Sequence, residues 1–155
     1  MALENLLPLE GANYATWTAT SSTQADVTGT ETAAGSVSGT GKALEFTTTQ
    51  TSGTMWAQAA CSVAPETVLA LSVSYKVDGT ESTIPFVVVF YNYNGGSSEL
   101  TVTPIAGANA SSSYKQFNAT VAVPVGCTYA VFKYALMTVG ANTDTLAVSD
   151  PVVAA

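Results

Sequence analysis

The stretch from Val68 to Tyr93 constrains the fold of this chain more than any other. Leu69, Leu71, Val73, Tyr75 and Val77 alternate with Ala70, Ser72, Ser74 and Lys76, a period of two that marks a strand packed on one face and wet on the other. After the turn Asp78-Gly79-Thr80, the residues from Ile84 to Tyr93 are apolar or aromatic at nearly every position. That second strand is either covered on both faces or presents its aromatics to something else. Similar runs recur at Tyr14–Thr20, Gln24–Thr30, Lys42–Thr49, Gly53–Val63, Ser98–Thr103, Tyr114–Val123, Thr128–Val139 and Thr145–Val153. Turn residues separate them at Ser38–Gly41, Asn94-Gly95-Gly96, Gly107–Ser113 and Gly140–Asp144. About ten strands with only a short helical turn near Asn5–Leu9 predict an all-β, antiparallel jelly-roll sandwich, with residues 1–155 forming one domain and Leu44, Phe46, Leu69, Leu71, Val73, Phe86, Val88, Phe90, Val131 and Leu136 mostly buried. The Thr/Ser/Gly-rich section from Thr18 to Thr40 reads as ordered, a loop between early strands anchored by Val27 and Val37.

Hydrophobic residues make up 47% of the chain and charged residues only 10%. Much of the surface must therefore be hydroxyls, or be covered by a partner. The net charge is −7, and four lysines are the only basic side chains, with no arginine or histidine. Phosphate backbones and anionic membranes therefore find little to bind, so neither nucleic acid nor membrane is expected as a partner. Without histidine there is no Ser-His or Cys-His pair, and the commonest zinc ligand is missing. Glu45, Glu81, Glu99 and Asp144 stand apart in sequence, with no pairing that would flank a scissile bond, and the chain is expected not to be an enzyme. Met1 to Pro8 has neither a basic start nor an apolar core of signal-peptide length, which predicts synthesis in a cytoplasm. In that compartment Cys61 and Cys127 are expected to be buried free thiols, although a bridge between them would add roughly 4 kcal/mol.

Several short motifs resemble the galactose-binding-like jelly rolls of carbohydrate-binding modules, the group joining families 4, 9, 16 and 22. Asn5-Leu6-Leu7-Pro8, Glu10-Gly11 and Trp17 stand in the order with which such modules open. Gly39–Phe46 resembles their Gly-rich turn into an early strand, and Val63–Val73 their proline turn into a long central strand. Val123-Pro124-Val125-Gly126-Cys127 and Ser149-Asp150-Pro151-Val152-Val153 are similar to the last turn and the closing acidic strand. Two departures stand out: the segment between Pro8 and Glu10 is short, and the closing strand has one aspartate where many relatives have two. In the family, acids near both ends often hold a structural calcium, and Glu10 and Asp150 are the matching positions. Calcium wants six to eight oxygens. One carboxylate from each end leaves most of that shell to backbone carbonyls, so two ordinary surface acids are the preferred account and no other cofactor is expected.

The resemblance also implies two kinds of work. Such modules bind sugars on aromatic faces flanked by amides, and Trp56, Gln58, Tyr91, Tyr93 and Tyr134 are the residues that a concave glycan face would use here. For any one of these aromatics, core packing is the commoner role, and Trp17 reads as a packing residue at the sandwich edge. Phage also use sandwiches of this kind on capsids and fibres, in chains rich in Thr, Ala, Ser and Val. The preferred expectation is a non-enzymatic virion structural protein, a phage capsid decoration (cement) protein or a head or tail fibre component. It would be a homo-oligomer in contact with the major capsid protein or another virion protein, made in the host cytoplasm and located in the virion. The alternative is a carbohydrate-binding module that recognises a polysaccharide.

Overall fold

A computed structural model describes residues 6, 18–21, 27–32, 43–48, 53–78, 83–109, 112–138 and 144–155. These form ten strands: β1 (Thr18–Ser21), β2 (Val27–Thr32), β3 (Ala43–Thr48), β4 (Thr54–Ser62), β5 (Val68–Asp78), β6 (Thr83–Tyr91), β7 (Ser98–Asn109), β8 (Lys115–Ala122), β9 (Tyr129–Thr138) and β10 (Thr145–Ala154). The first sheet has the order β1-β4-β9-β6-β7 and the second the order β2-β3-β10-β5-β8. All pairings are antiparallel. Among the described residues there is no helix, and the sheets stack as the two layers expected from the alternation.

The core lies between them. β5 contributes Leu69, Leu71, Val73, Tyr75 and Val77, and β6 contributes Phe86, Val88 and Phe90, all buried. Phe117, Val121, Ala130, Phe132, Leu146, Val148 and Val153 complete it from β8, β9 and β10. Aromatic rings join the layers: Phe86 of the first sheet stacks on Phe117 of the second at 3.8 Å between centroids, and Tyr75 meets Phe86 edge-on at 5.3 Å. Both cysteines are buried free thiols in this core.

Two expectations need correction. β7 runs on to Asn109, through the stretch around Gly107 that reads as a turn and past Pro104. β7 is an edge strand, and its register against β6 slips between Phe86/Ile105 and Val88/Val102, so Pro104 falls at an irregularity where no ladder donor is needed. Pro85 in β6 is tolerated similarly, because β9 pairs only with Val87 to Tyr91 and leaves that end of β6 one neighbour. Val131, expected in the core, is half-buried on the outer face of the first sheet. The small Ala130 takes the inward row with Phe132, which shifts the larger Tyr129 and Val131 outward. Leu44, Phe46 and Leu136 have side chains outside the described set, and Trp17 and the Gly-rich turn at 39–41 lie outside the described residues.

Candidate functional site

Alternation fixes which side chains of the first sheet point away from the core. With Ala59 and Cys61 inward on β4, Ala130 and Phe132 inward on β9, and Phe86, Val88 and Phe90 inward on β6, the outward rows are Trp56, Gln58 and Ala60; Tyr129, Val131 and Lys133; and Val87, Val89 and Tyr91. Cross-strand register sets Gln58 beside Lys133, Lys133 beside Val87, and Tyr91 beside Tyr129. A groove of about 390 Å³ runs over β9 between these rows, lined by Gln58, Ala60, Tyr91, Asn94, Tyr129 and Val131 among others. Tyr91 and Tyr129 meet edge to face at 6.4 Å and form its aromatic wall.

One end of the groove is closed by the turn after β6. The Gly96 N–H donates to the Tyr93 carbonyl at 2.9 Å, which makes Tyr93-Asn94-Gly95-Gly96 a β-turn whose third position, Gly95, has φ of 84°. Only glycine takes that angle without strain. A Cβ at Gly96 would collide with Asn92 Oδ1, the atom that accepts the Tyr93 N–H. The Thr128 N–H donates to Tyr91 O at 3.1 Å and its hydroxyl to Asn92 O at 2.5 Å. The turn is thus tied to the chain entering β9, and Asn94 and Gly95 are held over the groove.

The other end is a three-residue cluster. The Trp56 indole N–H donates to Gln58 Oε1 at 2.9 Å, and the Lys133 ammonium sits 4.5 Å from the centre of the Trp56 ring. The indole therefore fixes the Gln58 amide with its carbonyl occupied, leaving the amide N–H groups as donors. One face of Trp56 is covered by a cation and is closed to a sugar ring.

The five aromatic and amide residues anticipated for a glycan face are only partly brought together. Gln58 and Tyr91 line the groove, and Trp56 stands beside it in a supporting position. Tyr93 leaves the strand for the turn and is 61% exposed. Tyr134 pairs with Ala57, in the register of the inward row, and its side chain lies outside the described set. Tyr129 and Asn94 were missed. The β9 alternation puts Tyr129 on one face with Val131 and Lys133, and that was the available signal for it.

Of the two calcium positions, Glu10 is outside the described residues, and Asp150 is described only in its backbone, within the irregular register between Ser149 and Val152. Among the described residues no three Cys, Asp or Glu side chains gather. Burial pushes the Cys61 thiol up to about 11. Cys127, fully buried, is raised by burial and then by the charge of Glu99. Neither thiol is suited to act as a nucleophile.

No protein-family model and no curated protein matches this sequence. Solved structures do. The enzymatically active domain of tailspike protein 4 of bacteriophage CBA120 superposes with a TM-score of 0.73 at 11% identity, over 97% of this chain and 21% of that one. The chain thus spans about a fifth of that tailspike. The xylan-binding CBM22-1 domain of Paenibacillus barcinonensis Xyn10C gives 0.63 at 15% identity, over 99% of this chain and 95% of that one. The CBM22-1-GH10 modules of Clostridium thermocellum xylanase 10B, complexed with xylohexaose, give 0.67 at 12% identity, over 99% of this chain and 28% of that one. At such identities the likeness is one of fold, and the fold is the β-sandwich of the carbohydrate-binding modules.

Proposed function

We propose that this chain is a non-enzymatic structural protein of a phage virion, a capsid decoration protein or a head or tail fibre component that works as a homo-oligomer against other virion proteins. The observation that carries this reading is the outer face of the second sheet. There Val68, Ala70, Ser72, Val152 and Ala154 stand with Asn118 and Thr120 in cross-strand register around a shallow depression of about 540 Å³ with no charged side chain in its lining. Val68 is 60% exposed. Small, uncharged, flat surfaces suit close contacts between subunits, whose centres are depleted in charge, and a standard contact buries on the order of 800 Å² per partner. The likeness to a tailspike domain supports the same setting. A chain with no histidine and with thiols held protonated lacks the usual nucleophile and base pairs.

The test is sedimentation of the purified chain, alone and mixed with phage particles grown on the host of origin. Self-association and co-pelleting are expected. A chain that stays monomeric at all concentrations and ignores the particles overturns this reading.

A second reading, a carbohydrate-binding module, is favoured by the groove over β9. The Tyr91 and Tyr129 rings, the Gln58 amide donors and Asn94 supply the apolar and polar surfaces that a sugar presents in turn. A glycan array tests it, with binding expected to be lost in Tyr91→Ala.

A further inference from the structure

The charge on the first sheet is distributed in a way that neither function requires. Its three central strands, β4, β9 and β6, contain one side chain that is charged at neutral pH, Lys133, in a chain with eleven carboxylates and four lysines. Lys133 is half-buried on the outer face. It is also the next outward residue along β9 after Tyr129 and Val131, which line the groove, and lies about 7 Å beyond Val131 at the usual rise of a strand. Its Cα partner on β4 is Gln58, which lines the groove. Among the described residues no carboxylate pairs with it, and its contact is the Trp56 ring. An ammonium placed over an indole is oriented by a modest attraction, on the order of 0.5–1 kcal/mol at an exposed site, and keeps its N–H donors.

We infer that the groove over β9 takes an acidic saccharide, a chain of uronic-acid type, with Lys133 binding the carboxylate at the end opposite the Asn94-Gly95 turn. This rests on the carbohydrate-binding reading and deepens it. Tyr91 and Tyr129 contact the sugar faces, Gln58 donates to ring hydroxyls, and no carboxylate lines the groove to repel the ligand. The chain's net charge of −7 opposes an acidic polymer at long range. That field is screened beyond roughly 8 Å at physiological ionic strength, so recognition falls to the local cation. Trp56 acts through Lys133 and Gln58 and is a positioning residue. With a neutral sugar the Trp56 ring would remain the ammonium's contact among the described residues.

The experiment is isothermal titration of the full chain with oligogalacturonate, with its methyl ester (the same sugar with the charge removed), with a neutral xylo-oligosaccharide and with poly-glutamate. Oligogalacturonate is expected to bind, and its methyl ester about tenfold more weakly, as befits one charge-assisted hydrogen-bonded contact. Lys133→Gln should reduce that ratio to near one, and Lys133→Arg should restore it, with unchanged melting temperatures showing that both fold. Tyr129→Ala should abolish binding of acid and ester alike. Equal or stronger binding of the neutral sugars overturns the inference while leaving the carbohydrate reading standing. Binding of none of the saccharides overturns both, and equal binding of poly-glutamate removes the saccharide from the proposal.

Discussion

Phe117 is the largest buried side chain of β8, an edge strand of the second sheet, and replacing it with alanine measures how much of the fold depends on its stacking against the first sheet. The ring is buried, lies beside Val73 in register, and stacks on Phe86 at 3.8 Å and 12° between planes. β8 has only β5 as a neighbour within its sheet, so no second ladder compensates. Phe→Ala in a core costs about 3–5 kcal/mol, and the lost ring pair contributes about 0.5–1.5 kcal/mol beyond area burial. Domains of this kind are stable by about 5–15 kcal/mol, so the variant should fold but melt roughly 8–20 °C lower. Urea unfolding followed by tryptophan fluorescence should show a lower midpoint with an unchanged slope. A double-mutant cycle with Phe86→Leu should return a coupling of about 0.5–1.5 kcal/mol, while Leu100→Ala, at an exposed site, should stay within about 0.5 kcal/mol. Should Phe117→Ala not fold, Phe117→Leu is expected to give a smaller loss of about 1–2 kcal/mol with the same sign. A Phe117→Ala loss under about 1 kcal/mol, or zero coupling, refutes the view that these rings hold the layers together.

Three further outcomes are expected. Glu66 has φ of 60°, a left-handed angle that costs an L residue about 1–2 kcal/mol, so Glu66→Gly should raise stability by about 0.5 kcal/mol after the entropy of glycine is subtracted; a clear loss in urea unfolding contradicts this. Cys61 titrates at about 11 when folded against 9.0 as a free group, so the unfolded chain gives up its proton first. Under reducing conditions stability should therefore fall as pH rises from 9 to 11, with the slope smaller in Cys61→Ala, and a flat profile refutes the assignment. Tyr75 and Cys127, raised by burial, act in the same direction. Chelation should leave the melting temperature unchanged; a saturable rise on adding calcium would instead restore Glu10 and Asp150 as ligands.

The fold was legible because it is written locally. The β5 alternation placed Leu69 to Val77 inward, and the Asn94-Gly95-Gly96 hairpin is present with its positive φ at Gly95. The sequence signal failed where a small residue held the inward row, as Ala130 did in making Val131 look like core, and where an edge strand tolerated Pro104. The site was less legible, since a groove is built from strands that are neighbours only in space. Tyr91 and Tyr129 are partners because β9 lies between β4 and β6, an order that no local pattern specifies. Face parity alone put Tyr93 on the row of Tyr91, but β6 ends at Tyr91 and the chain turns away.

The two proposed activities use opposite faces of the sandwich, so they are compatible and can be separated. The groove of Gln58, Tyr91 and Tyr129 opens outward from the first sheet, and the small-residue face of Val68, Ala70 and Val152 opens outward from the second, with the buried Phe86-Phe117 layer between them. A subunit fixed to a particle through the second sheet would leave the groove free toward solvent. A charge placed at the second face should therefore act on assembly alone: Val152→Asp introduces an unpaired carboxylate where subunits would meet, and burying it costs several kcal/mol. Val152 is exposed in the isolated chain, so the same change should leave its stability within about 0.5 kcal/mol. Tyr91→Ala should do the reverse, abolishing saccharide binding while particles still take up the chain. If Val152→Asp abolishes saccharide binding, or Tyr91→Ala abolishes co-sedimentation, the two faces do not carry separate functions and the division proposed here is wrong.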